Sequence, residues 1–338
     1  MAAELAHPNL ERDARARGRP LEHEGDAPSL ERARERPIGL QLNRAIDQIE
    51  QLVARKLLAG KEVTRHQRIL FRALTWNLFH GRDWPPDREL VTWRSRILRA
   101  TERSRAYAQV NRELRDEFAG VLAGMPWDVA LLQEVPPPWL GPLGGATGAG
   151  GASALTSRNS LAFLRAAVAR WNPDLIASNE GGSNQLLVRP PWRMAELRRV
   201  TIARRPERRR MLMARLVDGD GAELVVANLH GPTQAPPDAV LRAAETAVAY
   251  AGSRPLVFGG DLNQRPRDEP DAFERLRERH GLWPPTAPDC LDHLLARGVD
   301  VVEAPHRLPD DSRETSDVDG RAIRLSDHPA VAGTFEVG

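Results

Sequence analysis

The chain has 338 residues, 41% of them hydrophobic and 28% charged, with a net charge of +2. That size allows one large domain or two ordinary ones, and so balanced a charge singles out no class of partner. Cys290 is the only cysteine, which excludes an intrachain disulfide scaffold. No stretch has the apolar length of a signal-peptide core or a membrane span, so the sequence predicts a soluble, cytoplasmic protein.

Arginine supplies nearly all the positive charge; Lys56 and Lys61 are the only lysines. So uniform a preference reads as base composition of the gene more readily than as phosphate binding. Residues 1–37 are rich in Arg, Glu, Pro and Gly with few large apolar groups, and predict a disordered tail. Leu42, Ile46, Ile49, Val53 and Leu57 recur at helical spacing, so residues 38–68 are read as an amphipathic helix followed by a basic connector. The compact domain is expected over 69–338.

Within it, Phe71 to Asn77 (FRALTWN) is the first strand. The Arg/Glu-rich stretch from Asp87 to Leu122 predicts one long helix or two. Asp128 to Glu134 (DVALLQE) is a second buried strand, stopped by three prolines. Gly141 to Ser153 is glycine-rich and predicts a flexible surface loop; without a Lys-Ser/Thr ending it is not a phosphate loop. Ser160 to Trp171 is read as a helix, and short strands are expected at Asp174–Ala177, Gln185–Val188 and Met211–Val217. The turn Asp218-Gly219-Asp220-Gly221 joins the last of these to Glu223–Asn228 as a hairpin. The arginine-rich run Arg198–Arg210 reads as the charged face of a hairpin. Helices follow at Asp238–Ala251 and Glu269–His280, and strands at Leu256–Phe258, closed by Gly259-Gly260, at Leu291–Leu295 and at Val331–Val337. Strands alternating with helices, plus a hairpin, indicate an α/β protein with mixed sheets.

The apolar strands share one peculiarity: they end on polar groups. Asn77, Glu134, Asn228 with His230, Asp261 with Asn263, Asp292, and Asp327 with His328 all stand at or just past such ends. In LVFGGDLN (Leu256–Asn263) the two glycines are expected to let the backbone approach a ligand, with Asp261 and Asn263 facing one cavity. Carboxylates and a carboxamide without thiolates suit a hard cation, Mg²⁺ or Mn²⁺. A further carboxylate can aim or deprotonate water, and histidines can protonate a leaving oxygen or steady a phosphoryl charge.

In order, Trp76-Asn77, LLQE (Leu131–Glu134), NLHG (Asn228–Gly231), GGDLN (Gly259–Asn263), LDH (Leu291–His293) and SDHP (Ser326–Pro329) resemble the endonuclease/exonuclease/phosphatase superfamily over about 71–337. The resemblance implies a deoxyribonuclease I-like four-layer sandwich, two packed mixed β-sheets flanked by helices, with the site at one end. It implies metal-site roles for Asn77, Glu134 and Asp327, with Glu134 the principal ligand. It implies water activation by Asp261 beside Asn263, and a phosphate-contacting His328 held by Asp292. His230 resembles a leaving-group histidine. Asn228, His80 and Arg82 stand as candidates for contact with substrate phosphate. The tyrosine and GYSG-like segment of the abasic-site nucleases are missing. The expected activity is divalent-metal-dependent phosphoester hydrolysis, foremost as a phosphodiesterase or endonuclease on nucleic acid. A phosphatase or phosphodiesterase for an inositol or lipid headgroup is the alternative within enzymes, and a non-catalytic binding protein the alternative outside them. No obligate protein partner is evident.

Overall fold

The computed structural model describes residues 68–156, 162–176, 182–204, 208–233 and 238–338, which belong to the compact unit His66–Gly338. The tail and amphipathic helix read from the sequence lie outside the described residues. In chain order come β1 (Ile69–Asn77), α1 (Trp93–Leu98), the short β2 (Glu102–Arg103) and β3 (Ala108–Gln109), α2 (Arg115–Gly124) and β4 (Val129–Val135). Then follow α3 (Leu140–Thr147), β5 (Gly150–Leu155), α4 (Ala162–Trp171), α5 (Pro173–Ile176), β6 (Ser183–Val188), β7 (Arg193–Ala203), β8 (Arg209–Val217) and β9 (Glu223–Asn228). The last third holds α6 (Asp238–Ala251), β10 (Leu256–Asp261), α7 (Pro270–His280), β11 (Asp292–Arg297), β12 (Asp300–Arg307), β13 (Glu314–Ser316), β14 (Ala322–Arg324) and β15 (Val331–Val337).

Two mixed sheets carry the fold, ordered β12-β15-β1-β4-β6-β5 and β11-β10-β9-β8-β7. Their parallel pairs are β1 with β4 and β9 with β10. Strand alternation explains how they stack. In β1, Phe71 and Ala73 join Val129, Leu131 and Leu186 against Leu212, Ala214, Val226, Val257 and Leu294 of the other sheet. On the opposite face Leu74, Trp76, Ala130 and Leu132 pack under α2 and α3 through Phe118, Leu122 and Leu143. On the far side Met211, Met213, Val225 and Phe258 meet α6 and α7 through Ala243, Ala244, Ala247, Phe273 and Leu276. Helix, sheet, sheet, helix: this is the four-layer sandwich expected from the sequence.

Three local expectations are overturned. The glycine-rich stretch from Gly141 to Ser153 is no loop but α3, the turn at Gly148 (φ +67°), and β5 on the sheet edge. Its glycines serve packing: a Cβ on Gly151 would lie 2.7 Å from the Leu140 side chain. At 174–176 there is a helical turn, not a strand, and Ala177 lies outside the described residues; Pro173 pre-sets the turn's first position and the Asn172 carboxamide accepts the Leu175 N–H at 3.0 Å. The span from Asp87 to Leu122 is broken into α1, the β2–β3 ribbon and the start of α2. Arg99 ends α1 in the left-handed region (φ +57°), so Tyr107 lies in the ribbon and not in a helix.

The glycines of LVFGGDLN are also placed differently from the expectation. They admit another stretch of backbone, not a ligand. A Cβ on Gly260 (φ +128°) would sit 1.9 Å from the Leu229 carbonyl oxygen, and one on Gly259 2.3 Å from that of His293. Gly260→Ala is therefore expected to cost on the order of 4 kcal/mol or to abolish folding, read as the loss or lowering of the thermal transition. A variant that melts like wild type would show that the two segments can part.

A second prediction concerns the ribbon. Asp83 is buried, accepting the Val110 N–H on Oδ2 at 2.9 Å while Oδ1 has no partner among the described residues. Burial, helped by the Asp174 charge, pushes its carboxyl up to about 8, against hydrogen bonding and Arg82. Because the folded value lies above the unfolded one (about 4), its contribution is fully present below that range and lost as pH rises through about 8. The melting temperature of Asp83→Asn should gain on wild type progressively across that window and level off above it. Parallel profiles would mean that Asp83 is ionised throughout.

Candidate active site

The inward-facing stripe of each sheet runs out of carbon at the same end of the sandwich. Following Ala73, alternation brings Thr75 and Asn77 to that face; following Leu131, Gln133; following Val226, Asn228; and Asp261 and Asp292 follow Val257 and Leu294 in the same way. Polar side chains packed between two sheets must satisfy one another. The Asn228 amide donates to the Leu132 and Gln185 carbonyls of the other sheet at 2.9 and 2.8 Å, and its oxygen accepts from Gln133 at 2.8 Å. Gln133 also donates to Thr75 at 3.1 Å. Asn228, expected at the substrate phosphate, is thus committed to the interior as a brace between sheets; this corrects the sequence reading. Gln133 was passed over because an amide before a glutamate carries no signal of its own.

Asp261 lies at the centre. It accepts the Asn77 amide at 3.0 Å and the Asn263 backbone N–H at 3.0 Å, and His230 Nε2 stands 3.6 Å away. Burial alone would raise it, but the imidazoles of His230 and His328 and these hydrogen bonds more than offset that and hold it below its ordinary value. Asn77 presents its nitrogen, not its oxygen, to this centre, while its oxygen accepts the Phe79 N–H at 2.9 Å. As placed, it orients Asp261, where the sequence reading made it a metal ligand. Asn263 is half-buried and gives one amide proton to the Gly231 carbonyl at 2.9 Å.

Glu134 reaches the site by a backbone irregularity. Alternation would send it outward after Gln133, but it adopts φ +51° where the register of β4 against β6 shifts between Leu132 and Val135. Its carboxylate then lies 3.2 Å from His80 Nε2 and 3.7 Å from His230 Nε2. Burial, with the charges of Asp261 and Asp327, pushes it up to about 7. His80 is itself buried and held down to about 3 by burial and by Arg82 and Arg209, so it meets Glu134 as a neutral ring and not as a group on a solvated loop. Arg82 lies half-buried over the Phe79 ring, 3.7 Å from its centroid, and its charge acts on Asp327.

The C-terminal motif closes the centre. His328 Nδ1 is 2.8 Å from Asp292 Oδ2, and its Nε2 3.9 Å from Asp327. Burial would lower His328, yet the surrounding carboxylates Asp292, Asp261 and Asp327 win and push it up to about 10, so it is an imidazolium. Ser326, another residue the sequence reading left out, donates to the Asn77 carbonyl at 2.6 Å and accepts the His328 N–H at 3.1 Å. Trp76 Nε1 donates to the His328 carbonyl at 2.8 Å.

Do these residues suit a cation? Asp261, Asp292 and His328 offer one ligand atom each within 4.8 Å of one another. Glu134 and Asp327, the ligands expected from the sequence, lie outside that cluster but in electrostatic reach of it. Oδ1 of Asp327 and of Asp292 are buried with no partner among the described residues. Four carboxylates face one imidazolium and two neutral imidazoles. That excess of oxygen and negative charge fits a hard divalent ion.

Arg209 is a further residue of the candidate site that sequence reasoning missed, being one of seven arginines in a run read as the charged face of a hairpin. Its side chain is buried, with Nη1 2.9 Å from His230 Nδ1. A guanidinium can only donate, so Nδ1 must accept and the proton of His230 sits on Nε2, toward Glu134 and Asp261. Burial and Arg209 hold His230 down to about 3. Arg209→Met should let the imidazole populate the other tautomer, visible in its ¹⁵N shifts, and lower kcat by about 10- to 100-fold with a smaller change in KM. An unchanged tautomer would remove Arg209 from this role.

Residues 74–328 match the model of the endonuclease/exonuclease/phosphatase family. No curated protein matches the chain. Among solved structures, a family protein from Bacteroides thetaiotaomicron aligns with TM-score 0.51 at 15% identity, over 80% of this chain and 99% of that one. Another from Beutenbergia cavernae gives 0.51 at 17%, over 80% and 72%. A mannosyl-6-phosphatase from Bacteroides thetaiotaomicron gives 0.50 at 15%, over 78% and 99%. At such identities the likeness is one of fold.

Proposed function

Since the chain belongs to the endonuclease/exonuclease/phosphatase family, whose members are typically phosphoester hydrolases, we propose that it is a Mg²⁺- or Mn²⁺-dependent phosphodiesterase acting on nucleic acid. The observation that carries the reading is Asp261: a buried carboxylate kept ionised and aimed by two hydrogen bonds, with an imidazolium close by.

Glu134 and Asp327 would hold a divalent ion, which when bound would neutralise phosphoryl charge. The side chains do the rest. Asp261 accepts the proton of the attacking water, with Asn77 and Asn263 fixing its direction. His328, clamped by Asp292, faces the charge that develops on phosphorus-bound oxygen. His230, neutral, donates a hydrogen bond from Nε2–H to the leaving oxygen, which takes its proton from bulk water. His80 keeps Glu134 in place, and Arg82 adds positive charge at the rim. Beside His80 a cavity of about 230 Å³ is walled by Trp139, Pro136 and Pro138, with Arg115 and Arg170 in its lining. Flat apolar walls with guanidinium groups suit a nucleobase next to its phosphate. A lipid or inositol phosphodiester is the second reading, favoured by the exposed surface of α1.

Hydrolysis should be measured on supercoiled plasmid, single-stranded oligonucleotide, inositol phosphates and sphingomyelin. Chelator should abolish it, and Glu134→Gln or Asp261→Asn should each lower kcat at least about 100-fold. Mg²⁺ should also raise the melting temperature of wild type and not of Glu134→Gln/Asp327→Asn, a readout that needs no turnover. Activity indifferent to chelator would overturn the metal-dependent reading, and activity confined to the lipid or inositol substrates would replace nucleic acid as the substrate.

A further inference from the structure

Helix α1 is built inside out. Its buried residue is Ser95, whose hydroxyl bonds to the Gln109 side chain within a polar network that includes Asn111 and Asn172. On a helical projection Trp93 and Ile97 lie opposite Ser95, and Trp93, Ile97 and Leu98 are 57–65% exposed. A helix normally gains its stability from the reverse arrangement.

The exposed arc continues onto the next layer. Arg96 donates to the Asp174 carbonyl at 3.3 Å, Asn172 to the Arg96 carbonyl at 3.1 Å, and the Arg99 guanidinium lies 5.7 Å from the Trp171 ring centre. Trp171 and Leu175, each at least half exposed, therefore border Ile97 and Leu98.

We propose that this surface docks the protein onto an anionic phospholipid surface. Trp93 to Arg99 reads WRSRILR: three large apolar side chains, three arginines and no acid. Indole rings and aliphatic side chains interleaved with guanidinium groups are the composition of an interfacial anchor, which lies in the headgroup layer without spanning it. Among the described residues no helix is long and apolar enough to cross a membrane. A nucleic-acid strand would stack on Trp93 and Trp171 but leave Ile97, Leu98 and Leu175 without a π-partner. A second copy of this chain would bring the same arginines face to face across a two-fold axis, which like charge opposes. Docking rests on the surface alone and not on the reaction proposed above.

The test is co-sedimentation of the full chain with vesicles of phosphatidylcholine, with and without phosphatidylserine. Wild type should pellet with the serine-containing vesicles, and less so as salt is raised. Trp93→Ser/Leu98→Ser should weaken binding at least tenfold, and Arg94→Gln/Arg99→Gln by roughly fivefold per arginine. All variants should keep the wild-type melting temperature and rate on a soluble phosphodiester. Wild type that stays in the supernatant, or variants that pellet equally, overturn the proposal. So does loss by Trp93→Ser/Leu98→Ser of single-stranded oligonucleotide binding or of a wild-type dimer, where vesicles are not bound. Sedimentation needs no turnover, so a failed reaction would leave this outcome readable.

Discussion

The Asn228 carboxamide, set between the sheets, is the interaction on which the site rests. It leaves a strand of one sheet and gives both its protons to backbone carbonyls of the other. A buried amide left unpaired costs about 1–3 kcal/mol, so the two sheets are pinned in the one register that satisfies it. That register sets Asn77 opposite Asp261 and leaves Asp261 beside Asp292 across the β10–β11 pair. The geometry of the candidate site follows from cross-sheet satisfaction of polar groups at the end of an otherwise carbon core.

Charge is the second organising element. The centre gathers Glu134, Asp261, Asp292 and Asp327, yet the protein does not neutralise them with an equal set of cations. His80 and His230 are kept neutral by burial and by neighbouring guanidinium groups. Of the three histidines only His328 is charged, so with Arg82 and Arg209 three cations face four carboxylates. Arg209 contributes at one remove, by fixing which nitrogen of His230 bears the proton. The result is a pocket with a standing deficit of positive charge, the condition under which a divalent ion and a phosphoryl group are bound together.

Much of this was legible in the sequence, and physical causes separate what was from what was not. Apolar strands of period two that end on Asn, Asp or Glu could be read directly, and alternation carried Asn77, Asp261 and Asp292 to one face. Glu134 lay beyond the reach of alternation, since its direction comes from a left-handed backbone kink. Arg209 looked like its exposed neighbours because its burial arises only when the His230 segment folds against it. Glycine misled twice, at Gly141–Ser153 and at Gly259-Gly260, since tight packing of backbones selects the same residue as freedom does. The span from Asp87 to Leu122 misled because Trp93, Ile97 and Leu98 keep helical spacing while facing solvent.

Six non-glycine residues among those described have positive φ, and five of them, Phe79, His80, Glu134, Asn263 and Ser326, surround the site. Each such conformation costs on the order of 1–2 kcal/mol, a sum comparable to the whole stability of many domains. The sandwich therefore spends its surplus cohesion at one rim, as a spring is held wound by its casing. Heat or denaturant would relax that rim before the sheets separate, so the molecule would lose its chemistry while still folded.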